Sequence, residues 1–202
     1  MADLLPIFPL ELVLFPGTPL PLHIFEERYK EMIAECVAQK RPFGVVRAMA
    51  QAVAEVGCTA DIIEVVKKYD DGKLDIICEG RQRFEVVQLD QERAFLRAEV
   101  AFFEDEPEAA SPDHAKKAIQ CYSELMSMVE SEAEAPEPDD PQLSFHLIAP
   151  LPVDLDFKQT ILASRSEAKR IAMTAEYLTA VLPRMKRAIK AREKAGGNGH
   201  GL

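Results

Sequence analysis

The chain has 202 residues, enough for one or two domains, and its 48% apolar and 29% charged residues place it with folded globular proteins rather than disordered ones. Its net charge of −10 is uneven: residues 1–105 hold 12 basic and 19 acidic side chains, residues 106–141 hold 2 and 10, and residues 142–202 hold 10 and 5. An acidic body argues against a nucleic-acid-coating protein, which needs a basic field to displace phosphate counterions. No apolar run approaches the ~18 residues of a spanning helix, and no basic segment precedes the first apolar residues, so neither a membrane partner nor a signal peptide is expected and the cytoplasm is the expected compartment.

The first elements lie in LPIFPLELVLFPGTPLPLHIFEERY, which carries Pro6, Pro9, Pro16, Pro19 and Pro21. Proline cannot donate to a sheet ladder, so residues 4–8 and 19–25 are predicted as edge strands, with FPGT as a type II turn between them. In EERYKEMIAECVAQK the residues Tyr29, Met32, Ile33, Cys36 and Val37 recur at helical spacing, and Pro42 is expected to end that helix. Residues 43–49 read as a strand.

The longest β signal follows, in runs separated by DDGK, EGRQ and DQER. Asp71-Gly72 marks a hairpin, and with that pair at its centre Cys78 falls opposite Val65 and Cys58 opposite Glu85. Cys36, Cys58, Cys78 and Cys121 include no CxxC pair, so they are expected to be reduced, buried, small apolar residues with neither metal nor disulfide. About six strands with one inserted helix fit a small barrel over residues 1–105.

After Asp105 the period changes. Ser111 and Pro112 open a helix whose face is predicted to hold Ile119, Tyr122, Leu125, Met126 and Val129. Residues 132–141, EAEAPEPDDP, read as an acidic linker. A helix in QLSFHLIAPLP, a short helix capped by Asp154, and a long helix with Ser164 and Glu167 as its capping box complete an α-helical bundle over residues 106–194. The long helix carries a seam of Ile171, Ala175, Leu178, Leu182, Met185 and Ile189, and Pro183 is expected to bend or break it. Its basic C-terminal end suits the helix dipole. Residues 195–202 are predicted as a disordered tail. The fold class is therefore α+β: an N-terminal β-barrel with one inserted helix, then a helical bundle.

Several separated strings, in order, carry a family resemblance: LPIFPLELVLFPGTPLPLHIFEERY, RPFGVV, the Asp-Gly hairpin with CEGRQRFEVV, and LIAPLPVDLDFKQTILASRSEAKRIAMTAEYL. Together they resemble the N-terminal substrate-binding domain of ATP-dependent Lon proteases, over residues 4 to about 190, with Pro152 to Leu162 as the most distinctive phrase of the helical half. The resemblance implies a PUA-like barrel packed on a helical bundle. It also implies a role in holding unfolded or tagged polypeptides, and the domain is similar to one in cereblon, a substrate receptor of a ubiquitin ligase. The phosphate loop G-x-x-x-x-G-K-[ST] that Lon's ATPase module needs does not occur in the sequence, and the Ser–Lys peptidase module has no counterpart region. The expected function is a non-catalytic polypeptide-binding module, without cofactor or metal, serving proteolysis or protein quality control as an adaptor to a separate protease.

Two rival readings follow from the residues: an RNA-binding PUA-like protein, which needs a basic or aromatic face, and a small hydrolase using one of the thiols. His23 is expected to be a packed or hydrogen-bonded structural histidine, and His114, His146 and His200 show no metal-ligand pattern. The candidate partner-binding residues are Phe25, Arg28 and Tyr29, where strand meets helix, and Arg81 and Arg83 beside Phe84, because aromatic and arginine side chains dominate interface hot spots. Phe102 and Phe103 must point to opposite faces of their strand, one into the barrel and one toward the bundle.

Overall fold

The computed structural model describes residues 4–108, 110–128 and 135–197. In chain order they form β1 (Leu5–Leu10), β2 (Pro19–Ile24), α1 (Glu27–Gln39), β3 (Phe43–Ala48), β4 (Val53–Lys68), β5 (Leu74–Asp90), β6 (Leu96–Phe102), α2 (Pro112–Met128), α3 (Leu143–Ile148), α4 (Leu155–Ala163) and α5 (Glu167–Gly197). The fold is mixed α+β. The chain divides into two compact units, one reaching to Asp105 and taking in Leu151–Arg165, the other made of Glu106–Pro150 and the chain from Ser166 onward. Thus α4, expected within the bundle, is part of the strand-bearing unit, where the Gln159 amide donates to the Val56 carbonyl at 2.9 Å.

In the first unit the six strands run in the order β2-β5-β4-β3-β1-β6, and β6 pairs with β5 as well as with β1. Such double pairing is possible because β4 and β5, at 16 and 17 residues, are long enough to change neighbours along their length. β5 pairs with β2 over Leu74–Glu79 and with β6 over Phe84–Asp90. Bulges between Cys58/Ala60, Ile62/Glu64, Val65/Lys67 and Val86/Gln88 supply the bends. Ile7, Val46, Phe84 and Ala98 form a buried apolar cluster, with Leu5, Val53, Val86, Leu96 and Val100 around it.

The proline-rich start departs from expectation in one respect. β2 is an edge, paired only with β5, but β1 lies between β3 and β6. Its prolines are tolerated because each sits where only one neighbour is in register: Pro6 beside Arg97 of β6, Pro9 beside Val46 of β3. The expected turn at FPGT forms, with Gly17 at φ 71° and both the Thr18 N–H and hydroxyl donating to the Phe15 carbonyl. That turn is fastened to β5, since Gly17 N–H donates to the Gly80 carbonyl at 2.9 Å and Gly80 N–H to the Thr18 carbonyl at 3.0 Å.

Other differences are local. α1 buries Tyr29, Met32, Ile33 and Cys36 but leaves Val37 exposed, and it ends before Pro42. Lys40 takes the left-handed conformation and Arg41 N–H donates back to the Cys36 carbonyl, a chain reversal that needs no proline. The hairpin turns through Asp70–Gly72, with Gly72 at φ 82°, so the Asp71-Gly72 pair is not its centre. With the bulges added, Cys78 faces Ile62 and Cys58 faces Arg83, not Val65 and Glu85. All four cysteines are free and buried.

In the second unit α2 buries Ala115, Ala118, Cys121, Tyr122 and Leu125; Ile119 and Met126 flank this stripe, and Val129 lies outside the described residues. Asp154 caps α4 as expected, accepting from Asp156 and Phe157 N–H. The cap of α5 is Ser166 rather than Ser164: its hydroxyl accepts from Lys169 N–H, while Glu167 turns inward to Ser144 and to Arg170, which is fully buried over the Phe145 ring. Ile171, Ala175, Leu178 and Leu182 are buried along the predicted seam, Met185 is half-buried, and the helix continues through Pro183 to Gly197. The linker expected at 132–141 is described only from residue 135, and of the tail expected at 195–202 only residues 195–197 are described, within α5.

Candidate functional site

The string DIIEVVKK at 61–68 places apolar doublets around one glutamate, a spacing of three that a regular strand cannot keep on one face. The structure resolves the conflict with two bulges, and the residues skipped by the β5 register, Ile63 and Val66, are each 53% exposed. β3 leaves β4 at the Phe43–Ala60 pair, so from Asp61 to Lys68 the strand has β5 on one side and an open edge on the other. Among the described residues no turn, loop or cap hydrogen bond reaches the backbone of 61–68.

Beside this edge runs a groove of about 410 Å³, lined by Cys36, Val37, Lys40 and Arg41 from the end of α1 and by Asp61–Val65. Its lining mixes the apolar side chains Cys36, Val37, Ile62, Ile63 and Val65 with charges of both signs. The left-handed turn at Lys40 that ends α1 is what places Lys40 and Arg41 on that rim.

At the other end of the edge lies an aromatic row. Lys67, Asp75 and His23 are in register across β4, β5 and β2. His23 Nδ1 is 2.6 Å from Asp75 Oδ1, and the Tyr69 hydroxyl donates to Asp75 Oδ2 at 2.7 Å. These two hydrogen bonds, His23 first, hold the Asp75 carboxyl below its ordinary value. The Lys67 ammonium sits over the Tyr69 ring at 4.4 Å, and Phe25, 58% exposed, stacks beside His23.

The five residues nominated from sequence separate into three places. Phe25 belongs to this aromatic row, and Arg81 bridges Asp61 on the groove rim to Glu79. Arg28 and Tyr29 line a different recess of about 230 Å³ with Arg93 and Phe95; there Arg28 pairs with Glu26 and covers Tyr29, whose phenol stacks on Phe8. Burial pushes the Tyr29 phenol up, opposed by Arg28. Arg83 is buried and donates to the Leu162 and Ser164 carbonyls and to Asp105. Residue type alone does not point to Ile62, Ile63 and Val65, whose signal is the broken alternation of the 61–68 string, and Val37 on α1 has no such signal. Phe103 is clasped between the Arg83 and Arg165 guanidiniums, and Phe102 is 53% exposed rather than in the core.

Cys36, Cys58 and Cys78 are poorly suited to nucleophilic chemistry. Burial raises Cys36 from 9.0 to about 11, and Cys58 and Cys78 to about 12, so each is a neutral thiol near neutral pH. Their ionisation is then linked to unfolding: the unfolded thiols ionise from about pH 9 and the folded ones only at about 11 to 12. Stability is expected to be insensitive to these groups below pH 9 and to fall as pH rises from 9 toward 12, while a serine variant at Cys58 flattens that slope in urea titrations. Among the described residues no group of three His, Cys, Asp or Glu side chains is placed to hold a metal ion, and no helix is long and apolar enough to cross a membrane.

The family model for the ATP-dependent protease La (LON) substrate-binding domain matches residues 4–180, and the chain belongs to this family. The Lon protease of Cytophaga hutchinsonii is 29% identical over 160 residues, 72% of this chain and 19% of that protease. The Lon protease of Parabacteroides distasonis is 32% identical over 114 residues, 52% of this chain and 14% of the protease, so the chain spans less than a fifth of either relative. A crystal structure of a Lon N-terminal domain protein from Xanthomonas campestris superposes with a TM-score of 0.68 at 26% identity, covering 88% of this chain and 98% of that one. The N-terminal domain of a Mycobacterium avium complex Lon protease shares the fold, with a TM-score of 0.64 at 14% identity over the same shares of the two chains.

Proposed function

We propose that this chain is a non-catalytic module that binds unfolded or extended polypeptide at the α1–β4 groove and presents it for proteolysis, within protein quality control. The observation that carries the reading is a groove of mixed apolar and charged lining that runs beside an open strand edge in a member of a substrate-binding family. The circuit of pairings through β5, β4, β3, β1 and β6 supports a PUA-like barrel as its frame. Support for a reducing compartment such as the cytoplasm comes from the four free, buried thiols. Delivery to a separate protease is the adaptor form of the same proposal.

Because Val37 and Ile63 are exposed, changing them leaves the core intact. A Val37→Asp, Ile63→Asp double variant is expected to keep its thermal unfolding midpoint within a few degrees and to lose about tenfold or more in affinity for a carboxymethylated, permanently unfolded reporter protein, measured by fluorescence anisotropy. Unchanged affinity in that variant would remove the groove from the proposal.

A further inference from the structure

The outer side of β2 and the stretch of β4 beyond Ala60 are both paired on one side only, and they are chemically unlike. On β2, Pro19 and Pro21 lack N–H groups; the ladder to β5 then falls to the intervening residues, leaving the outer edge without donors at two positions. The open part of β4 contains no proline, so every residue from Asp61 to Lys68 keeps its N–H, and a row of donors and acceptors is available over about 26 Å at ~3.3 Å per residue.

Resting on the polypeptide-binding reading, we infer that this module binds its polypeptide by strand addition: a single extended, flexible segment pairs with the outer edge of β4 at Asp61–Lys68 and sends alternate side chains into the groove beside α1. The occupant's chemistry follows from the surroundings. Backbone groups are recognised by backbone groups, so sequence preference comes from every second side chain, which meets Val37, Ile62 and Val65 and is apolar. Exposed Lys67 and Lys68 at the far end favour an acidic residue level with them, which lies near the segment's N-terminus in the antiparallel sense. The bulges at Ile63 and Val66 distinguish an unfolded chain from a second folded copy. A rigid edge carrying the same bulges cannot follow the twist along its whole length, whereas an unfolded segment adjusts its own dihedrals to it.

The test uses the full chain and fluorescein-labelled peptides of about ten residues, with alternating Val and Thr and a Glu near the N-terminus. Single N-methylation of peptide amides removes one donor at a time. Strand addition is expected to lower affinity about tenfold at every second position, with changes under about twofold between them. Lys68→Glu is expected to weaken the peptide about threefold, and exchanging the peptide's Glu for Lys to restore it.

Binding that ignores N-methylation, or falls equally at every position, overturns strand addition while leaving the groove reading standing. No binding of any peptide or of the unfolded reporter overturns both. Failure of the charge exchange overturns the antiparallel register. A dimer of this chain in sedimentation that excess peptide does not dissociate, without the alternating pattern, would assign the edge to a second copy and overturn the inference.

Discussion

Gly80→Ala is expected to be the most damaging single substitution in the strand-bearing unit, lowering the unfolding free energy by ~3 kcal/mol or leaving the chain unable to fold. A Cβ at Gly80 would stand 2.1 Å from the Phe15 carbonyl oxygen and 2.9 Å from its carbon, both backbone atoms that no rotamer change can move. Relief requires lifting the Phe15–Thr18 turn from β5, which breaks the Gly17–Gly80 and Gly80–Thr18 hydrogen bonds and exposes Phe15, now 1% exposed. Urea unfolding followed by circular dichroism measures the loss. A Gly72→Ala control, whose nearest contacts are the end of the Lys30 side chain, should suffer only the backbone strain of φ 82°.

Arg83→Met should cost about 3 kcal/mol, for a different reason. The apolar stem survives, but the Leu162 and Ser164 carbonyls and the Asp105 carboxylate lose the buried guanidinium that ties the end of α4 to β5. The loss should be local before it is global. Hydrogen exchange is expected to quicken first across Leu155–Ala163, with β4 and β5 still protected. Uniform loss of protection would mean that Arg83 supports the whole sheet rather than the anchoring of α4. Arg83→Lys is expected to recover only part of the stability, since one ammonium cannot reproduce the fork to three acceptors.

These two residues also mark where sequence stopped being informative. The Asp-Gly hairpin, the Pro-Gly turn and the Asp154 cap were legible because each is decided by neighbours in the chain. Register was not, because the turn takes three residues rather than two and the three bulges of the β4–β5 pair, which depend on how both strands wrap their core, move the pairing further. Ser164 and Ser166 both suit an N-cap, and the choice fell to Ser166 because Glu167 is engaged by Ser144 from another part of the chain and by Arg170 one turn along its own helix.

For the candidate site the same division holds. Phe25 could be nominated from its residue type, and it is exposed beside His23. Arg83 has the same chemistry as Arg81, yet its acceptors are carbonyls roughly eighty positions away in the chain, contacts no local pattern announces. The open edge of β4 is a property of where β3 begins, and that is a fact of topology. Only the doublets of the 61–68 string hinted at it, through a spacing of three and four that suits a helix face and breaks the alternation of a strand.

In the proposed function the chain recognises polypeptide by its unfolded state, through the groove and edge at Asp61–Lys68. Hydrogen exchange of the full chain with and without a permanently unfolded reporter, and with the same reporter in its native form, decides whether it does. Slowed exchange is expected in β4 from Asp61 to Lys68 and at the end of α1 with the unfolded form alone. Equal protection by the native form, or protection confined to α2 and α5, would contradict it.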